Sequence, residues 1–271
     1  MNKITKLILL LFTLVLSSSF LAQPADDKIK ILLIGDSTTA GGRIILKESI
    51  EKLLLAEEEM PEVEVINCGK GGDTAYELIH SGRYEKEIKN LEDIDYIFFR
   101  YGLNDYIPGK DHRKDRPFED FFKLEIAEAV SIIKNDFPDA HFTLMNIIPW
   151  RGEEIDNLTN TIIKEVAKEE DVAFMDIYTP YKNAEQKLGE NTLRVRFFPL
   201  KEIPNRYHEI LKPFTKYIKW KDEYMVRVET KEFDAVFNDL PDWFKDRHPN
   251  NAGYRLIAEE TVDYLLPFIK K

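Results

Sequence analysis

Gly35-Asp36-Ser37 follows directly on the apolar run Ile29 to Ile34 and precedes a helical pattern, so a serine stands where a strand turns into a helix. A side chain at such a turn projects beyond the carboxyl edge of a parallel sheet, beside backbone N–H groups that a helix start leaves unbonded. A hydroxyl there is placed for nucleophilic attack, and the N–H groups for stabilising an oxyanion. Asp36, Ser37 and Thr38 are also common helix-capping residues, so the tripeptide alone does not separate catalysis from capping. Further segments bear on that choice. Asn67 to Thr74 is a glycine-rich turn into a helix, where a backbone N–H can approach a ligand closely. Gly102-Leu103-Asn104-Asp105 offers the Asn104 amide as a donor, on residue types that also serve in ordinary turns. Asp246 to Tyr254 puts His248 on a late loop just before the last helical pattern, and it is the best base the chain offers.

These segments lie at the ends of apolar, β-branched runs that alternate with helix-period stretches, the pattern of a parallel sheet covered by helices on both faces. Strands are predicted over Lys28 to Ile34, Val63 to Asn67, Ile94 to Tyr101, His141 to Ile148 and Val172 to Ile177. Helices are predicted over Arg43 to Glu59, Thr74 to Asn90, Phe118 to Asp136, Asp156 to Glu169 and Ala252 to Ile269. Right-handed crossovers turn the strand carboxyl ends the same way, so the loops that follow them gather at one edge. From Tyr178 to Trp243 the rhythm breaks into aromatics mixed with charges, including Arg194 to Phe198, a helical Asn205 to Trp220 and a strand-like Tyr224 to Val228. This stretch, about residues 178–243, reads as a folded insertion over the site.

The chain has 271 residues and a formal net charge of -11, so it repels phosphate backbones and anionic lipid, and neither nucleic acid nor a stable membrane partner is expected. Met1 to Lys6 is basic, Leu7 to Leu16 is nearly all apolar, and small residues follow to Ala22. That order describes a signal peptide over residues 1–22, leaving a domain over residues 23–271 for the secreted or periplasmic side of a membrane. The single cysteine, Cys68, ends a strand and has no internal partner for a disulfide. Neither glycine-rich turn fits a dinucleotide or phosphate loop. His80, His112, His141 and His208 show no paired metal-ligand spacing, so no metal and no cofactor is expected.

Taken together, the segments from Ile29 to Tyr254 resemble the SGNH hydrolases, also called the GDSL esterase/lipase family, in order and spacing. The resemblance implies a flavodoxin-like three-layer αβα sandwich with a five-stranded parallel sheet and an insertion before the histidine. It also implies Ser37 as nucleophile, His248 as general base, and an oxyanion hole made by the N–H groups of Ser37 and Gly72 with the Asn104 amide. The family carries an aspartate three residues before the histidine, where this chain has Lys245. Asp246 lies two before it, and residues two apart in extended backbone point to the same side. Asp246 is therefore the expected orienting acid if the loop is extended, with Asp242 or a backbone carbonyl as alternatives. Tyr106, Trp150 and Arg151 follow the third and fourth strands as candidate substrate-binding residues. The resulting expectation is an exported serine esterase for short, acetyl-type esters on a carbohydrate or other small polar carrier. Lipid ester hydrolysis, acyl transfer and glycan binding without turnover are the alternatives.

Overall fold

The computed structural model describes residues 28–41, 44–107, 116–219, 221–229, 237 and 244–270. The predicted signal peptide lies outside them, as does Asp242.

Along β1 (Ile29–Gly35) the side chains alternate: Ile31 and Leu33 enter one buried cluster, Leu32 and Ile34 the other, and all are fully or almost fully buried. A strand that is apolar on both faces requires cover on both faces. Helices Ala75–His80, Phe118–Asp136 and Glu153–Glu169 bury their apolar sides against Leu32, Ile34, Ile97 and Phe99. Helices Ile45–Leu55 and Asn251–Ile269 cover Ile31, Leu33, Val65 and Phe98. Each such side chain contributes roughly 1.5–3 kcal/mol by leaving water. With β2 (Val63–Asn67), β3 (Tyr96–Arg100), β4 (His141–Met145) and β5 (Ala173–Met175), β1 forms a parallel sheet of order β2-β1-β3-β4-β5. This is the expected three-layer αβα sandwich. Its strand order reverses between β1 and β3, and ligands in such sheets bind outside the carboxyl ends at that switch point.

The helix predicted over Thr74 to Asn90 is broken into Ala75–His80 and Arg83–Glu87 by Gly82, whose φ of 78° no helix continues. The helix predicted over Asn205 to Trp220 is reduced to one α-turn, His208–Leu211, between two 3-10 turns, and then gives way to β7 (Thr215–Ile218). Pro213 cannot donate to a helix there, and Thr215 to Ile218 find a partner in β8 (Glu223–Val228). Together with β6 (Arg194–Pro199), these strands build a second, antiparallel sheet of order β7-β8-β6-β9. Its last member, β9 (Phe244–Pro249), occupies the segment expected to be a loop. β9 pairs antiparallel with β6, with a register irregularity between Arg194 and Arg196. The second sheet therefore extends past the predicted insertion and takes in the histidine itself. Among the described residues, no helix is long and apolar enough to cross a membrane.

Candidate active site

Asp36 caps the short helix Ser37–Ala40: its Oδ1 accepts from the Thr38 N–H and hydroxyl, both at 2.8 Å. Capping and a forward-facing serine thus coexist in one turn. Gly35 is required before it, because a Cβ there would lie 2.3 Å from Thr39 Oγ1 and 2.7 Å from the Arg100 carbonyl oxygen. Arg100, at the end of β3, reaches under the turn and donates from Nη2 to the Thr38 carbonyl at 2.9 Å. Burial pushes the Asp36 carboxyl above its ordinary range and the Arg100 guanidinium below its own, while each charge partly offsets the shift of the other.

The glycine-rich turn after β2 is docked onto this helix. Lys70 N–H donates to the Gly35 carbonyl at 2.9 Å, and Asn67 Nδ2 to the Thr39 carbonyl at 3.0 Å. A Cβ on Gly69 would sit 2.4 Å from the Ala40 nitrogen, so only glycine allows this approach. Gly72 turns the chain at a φ of 73°. The next carbonyl, of Asp73, accepts from Asn104 Nδ2 at 2.9 Å. Asn104 is thereby fixed beside the Gly72 turn, and no other described residue accepts from its amide. The Asp73 carboxylate is held from below by Arg83 Nη1 at 2.6 Å and by the Tyr101 hydroxyl at 2.9 Å. Arg83 also donates to the Cys68 carbonyl. Asp105 accepts the N–H groups of Ala75 and Gly102, each at 2.9 Å, and burial pushes its carboxyl up to about 7. Asp73 and Asp105 lie in the two loops noted in the sequence, but their roles there, and the convergence of Arg83 and Tyr101 on Asp73, have no signal in the spacing.

His248 faces this assembly from β9. Its Nε2 stands 2.8 Å from Ser37 Oγ, and its Nδ1 stands 2.5 Å from Asp246 Oδ1. The extended backbone puts Asp246 and His248 on one side of the strand, and Asp246 also accepts the His248 N–H at 3.1 Å. Burial alone would raise the Asp246 carboxyl, but its bonds to His248 outweigh burial and hold it below the ordinary range. Two residues on, Asn250 caps the final helix through Ala252 and Gly253 N–H and donates to the Thr192 carbonyl at 2.9 Å. Arg194 Nη1 donates to the Arg247 carbonyl at 2.9 Å. These bonds fix the strand on both sides of the imidazole.

The Trp150 ring meets His248 edge-on, with centroids 4.9 Å apart. Arg151 donates to the Leu103 carbonyl at 3.2 Å, immediately before Asn104. Tyr106 packs edge-on against Phe118 at 4.8 Å, half-buried on the main core. Of the candidate substrate-binding residues, Trp150 is thus brought against the histidine, whereas Arg151 and Tyr106 make contacts within the protein. Among the described residues, three potential metal ligands converge only at His80, Glu125 and Glu128, where His80 Nε2 lies 3.4 and 3.1 Å from the two carboxylates. None of Ser37, Asp246 or His248 belongs to that group.

The model of the GDSL-like Lipase/Acylhydrolase family matches residues 31–261, from β1 into the final helix. Among solved structures, one similar protein is LAE5, an alpha/beta hydrolase enzyme from the metagenome of Lake Arreo, Spain. It is 16% identical, with 87% of this chain and 94% of that one covered and a TM-score of 0.57. Axe2, an acetylxylan esterase from Geobacillus stearothermophilus, is 17% identical over 88% of this chain and 95% of its own, with a TM-score of 0.53. At these identities the likeness is one of fold. No curated protein sequence matches.

Proposed function

We propose that this chain, which belongs to the GDSL-like lipase/acylhydrolase family and is a carboxylic ester hydrolase, removes short acyl groups, acetyl first among them, from a carbohydrate carrier. The observation that carries the mechanism is the unbroken hydrogen-bonded line from Ser37 through His248 to Asp246. With its proton on Nδ1 and donated to Asp246, the imidazole accepts the Ser37 proton at Nε2 as Oγ attacks the ester carbonyl. The resulting oxyanion takes hydrogen bonds from the N–H groups of Ser37 and Gly72 and from the second N–H of Asn104 Nδ2. His248 then gives its proton to the leaving alcohol. Water, activated by the same nitrogen, releases the acid from Ser37.

Asn104→Ala is expected to lower kcat by about a hundred- to a thousandfold, roughly 3 to 4 kcal/mol, with little change in KM. Steady-state kinetics on an activated ester separates the two constants. A variant impaired only in KM would move Asn104 into substrate recognition.

The carrier reading is supported by Trp150 at the edge of the histidine, an aromatic surface suited to a sugar face, and by the fold likeness to an acetylxylan esterase. The basic, apolar and small-residue order of residues 1–22 supports export to the secreted or periplasmic side. Rates on nitrophenyl esters are expected to fall steeply from acetyl to octanoyl, with acetate released from acetylated glycans. A preference for octanoyl or longer chains would replace the carbohydrate reading with a lipid esterase on the same catalytic groups.

A further inference from the structure

We propose that the cavity beyond Trp150 is the subsite for the carrier and that Arg247 selects, within the carbohydrate reading on which this inference rests, a carrier bearing a carboxylate, a uronate-type sugar. The cavity holds about 410 Å³ and is lined by Trp150, Tyr178, Lys182, Glu185, Arg194 and Arg247 among others. That volume lies within the range of roughly 300–1,000 Å³ typical of ligand pockets. Trp150 belongs to both places, since its ring packs at right angles to the His248 imidazole while the residue also lines the cavity. A ligand seated there would share Trp150 with the His248 side of the site.

The charges around the cavity differ in how they are held. Lys182 Nζ pairs with Glu153 at 3.2 Å. Arg194 Nε donates to Glu185 at 2.5 Å, and its terminal nitrogens donate to the carbonyls of Arg247 at 2.9 Å and Pro149 at 2.7 Å. Those cations are paired and pinned, so they form wall, and the remaining carboxylate of the lining, Asp156, is buried and occupied by the Trp150 and Arg151 N–H groups at 2.8 Å each. Arg247 is exposed, and no acid among the described residues pairs with its guanidinium. Its charge is felt next door, where burial and then Arg247 depress the Arg151 guanidinium below its ordinary value.

Strand geometry explains the position. Asp246 and His248 point toward Ser37, so Arg247 between them points to the opposite side of β9, the side of the cavity. One strand thus carries His248 on one face and, on the other, a cation with which no described acid pairs directly. A planar guanidinium beside aromatic rings suits a ligand with a carboxylate and a flat, weakly polar ring face. A neutral sugar would use the rings and leave Arg247 in water, and an acyl chain would gain nothing from it. In a chain of net charge -11, attraction for an anion has to come from such a local group, because the overall field opposes it.

The test compares kcat/KM of the full chain on p-nitrophenyl acetate, an acetylated xylooligosaccharide and an acetylated oligogalacturonide of equal length. The wild type is expected to favour the uronate over the neutral carrier by about ten- to a hundredfold, the scale of one charge-assisted contact. The preference should reside in KM and weaken with added salt. Arg247→Gln should bring the ratio of the two carriers close to one, and Arg247→Lys should keep most of it. Equal rates on both carriers, or an unchanged ratio in Arg247→Gln, overturns the assignment of Arg247 and leaves the carbohydrate reading standing. Turnover of p-nitrophenyl acetate with no acetate released from either glycan overturns both.

Discussion

Ser37→Ala is expected to lose ester hydrolysis by about a millionfold in kcat, the scale seen when the nucleophile of a serine hydrolase is removed. The loss is this large because the serine and its base act as a unit: without Oγ, the imidazole has no proton to take and no acyl-enzyme forms. The half-buried Ser37 side chain contacts His248 at the surface of the turn, while Asp36, Thr38 and Arg100 hold the turn from beneath. The alanine variant should therefore fold and melt like the wild type. An organophosphonate probe followed by peptide mass spectrometry should place its adduct on Ser37 and nowhere in the variant. An adduct on another residue, or wild-type turnover in Ser37→Ala, would end the nucleophile assignment.

The second large effect concerns the acid. Asp246→Ala is expected to reduce kcat by about ten-thousandfold, as when the aspartate of a serine triad is disabled. Asp242→Ala should stay at the wild-type rate. Because the Asp246 carboxyl lies below its ordinary value in the fold, it also contributes to stability. That contribution is complete above the ordinary value of 3.8 and disappears as the pH falls through the lower folded value. Thermal melts at neutral pH should accordingly show Asp246→Ala somewhat less stable, a difference that closes in strong acid. If both aspartate variants keep full activity, a backbone group orients His248 and the site is a serine–histidine pair.

What could be read from the chain followed the range of the interaction. The strand-to-helix turn at Ser37, the apolar runs of the parallel sheet and the helix Phe118–Asp136 are set by near neighbours and by periodicity, and they stand in the residues themselves. The spacing of Asp246 and His248 was informative only under a condition, extended backbone, which a partner strand about 50 residues earlier supplies. The clamp of Arg83 and Tyr101 on Asp73 joins groups 10 and 28 residues away. No local signal marks it. The stretch from Thr215 to Ile218 departs from its helical expectation for the same reason, since its conformation is decided by pairing with β8 and not by its own propensity.

Ser37 and His248 meet across 211 positions of sequence, one following the main sheet's first strand and the other on the second sheet's last. Contacts this distant in sequence cost the most chain entropy to close and tend to set the slow part of folding. A chain in which only the parallel sheet had formed would hold Ser37 and Asn104 but not His248. Hydrolysis by this pair would then require both sheets, and a chain that had formed only the first would leave untouched the esters it meets.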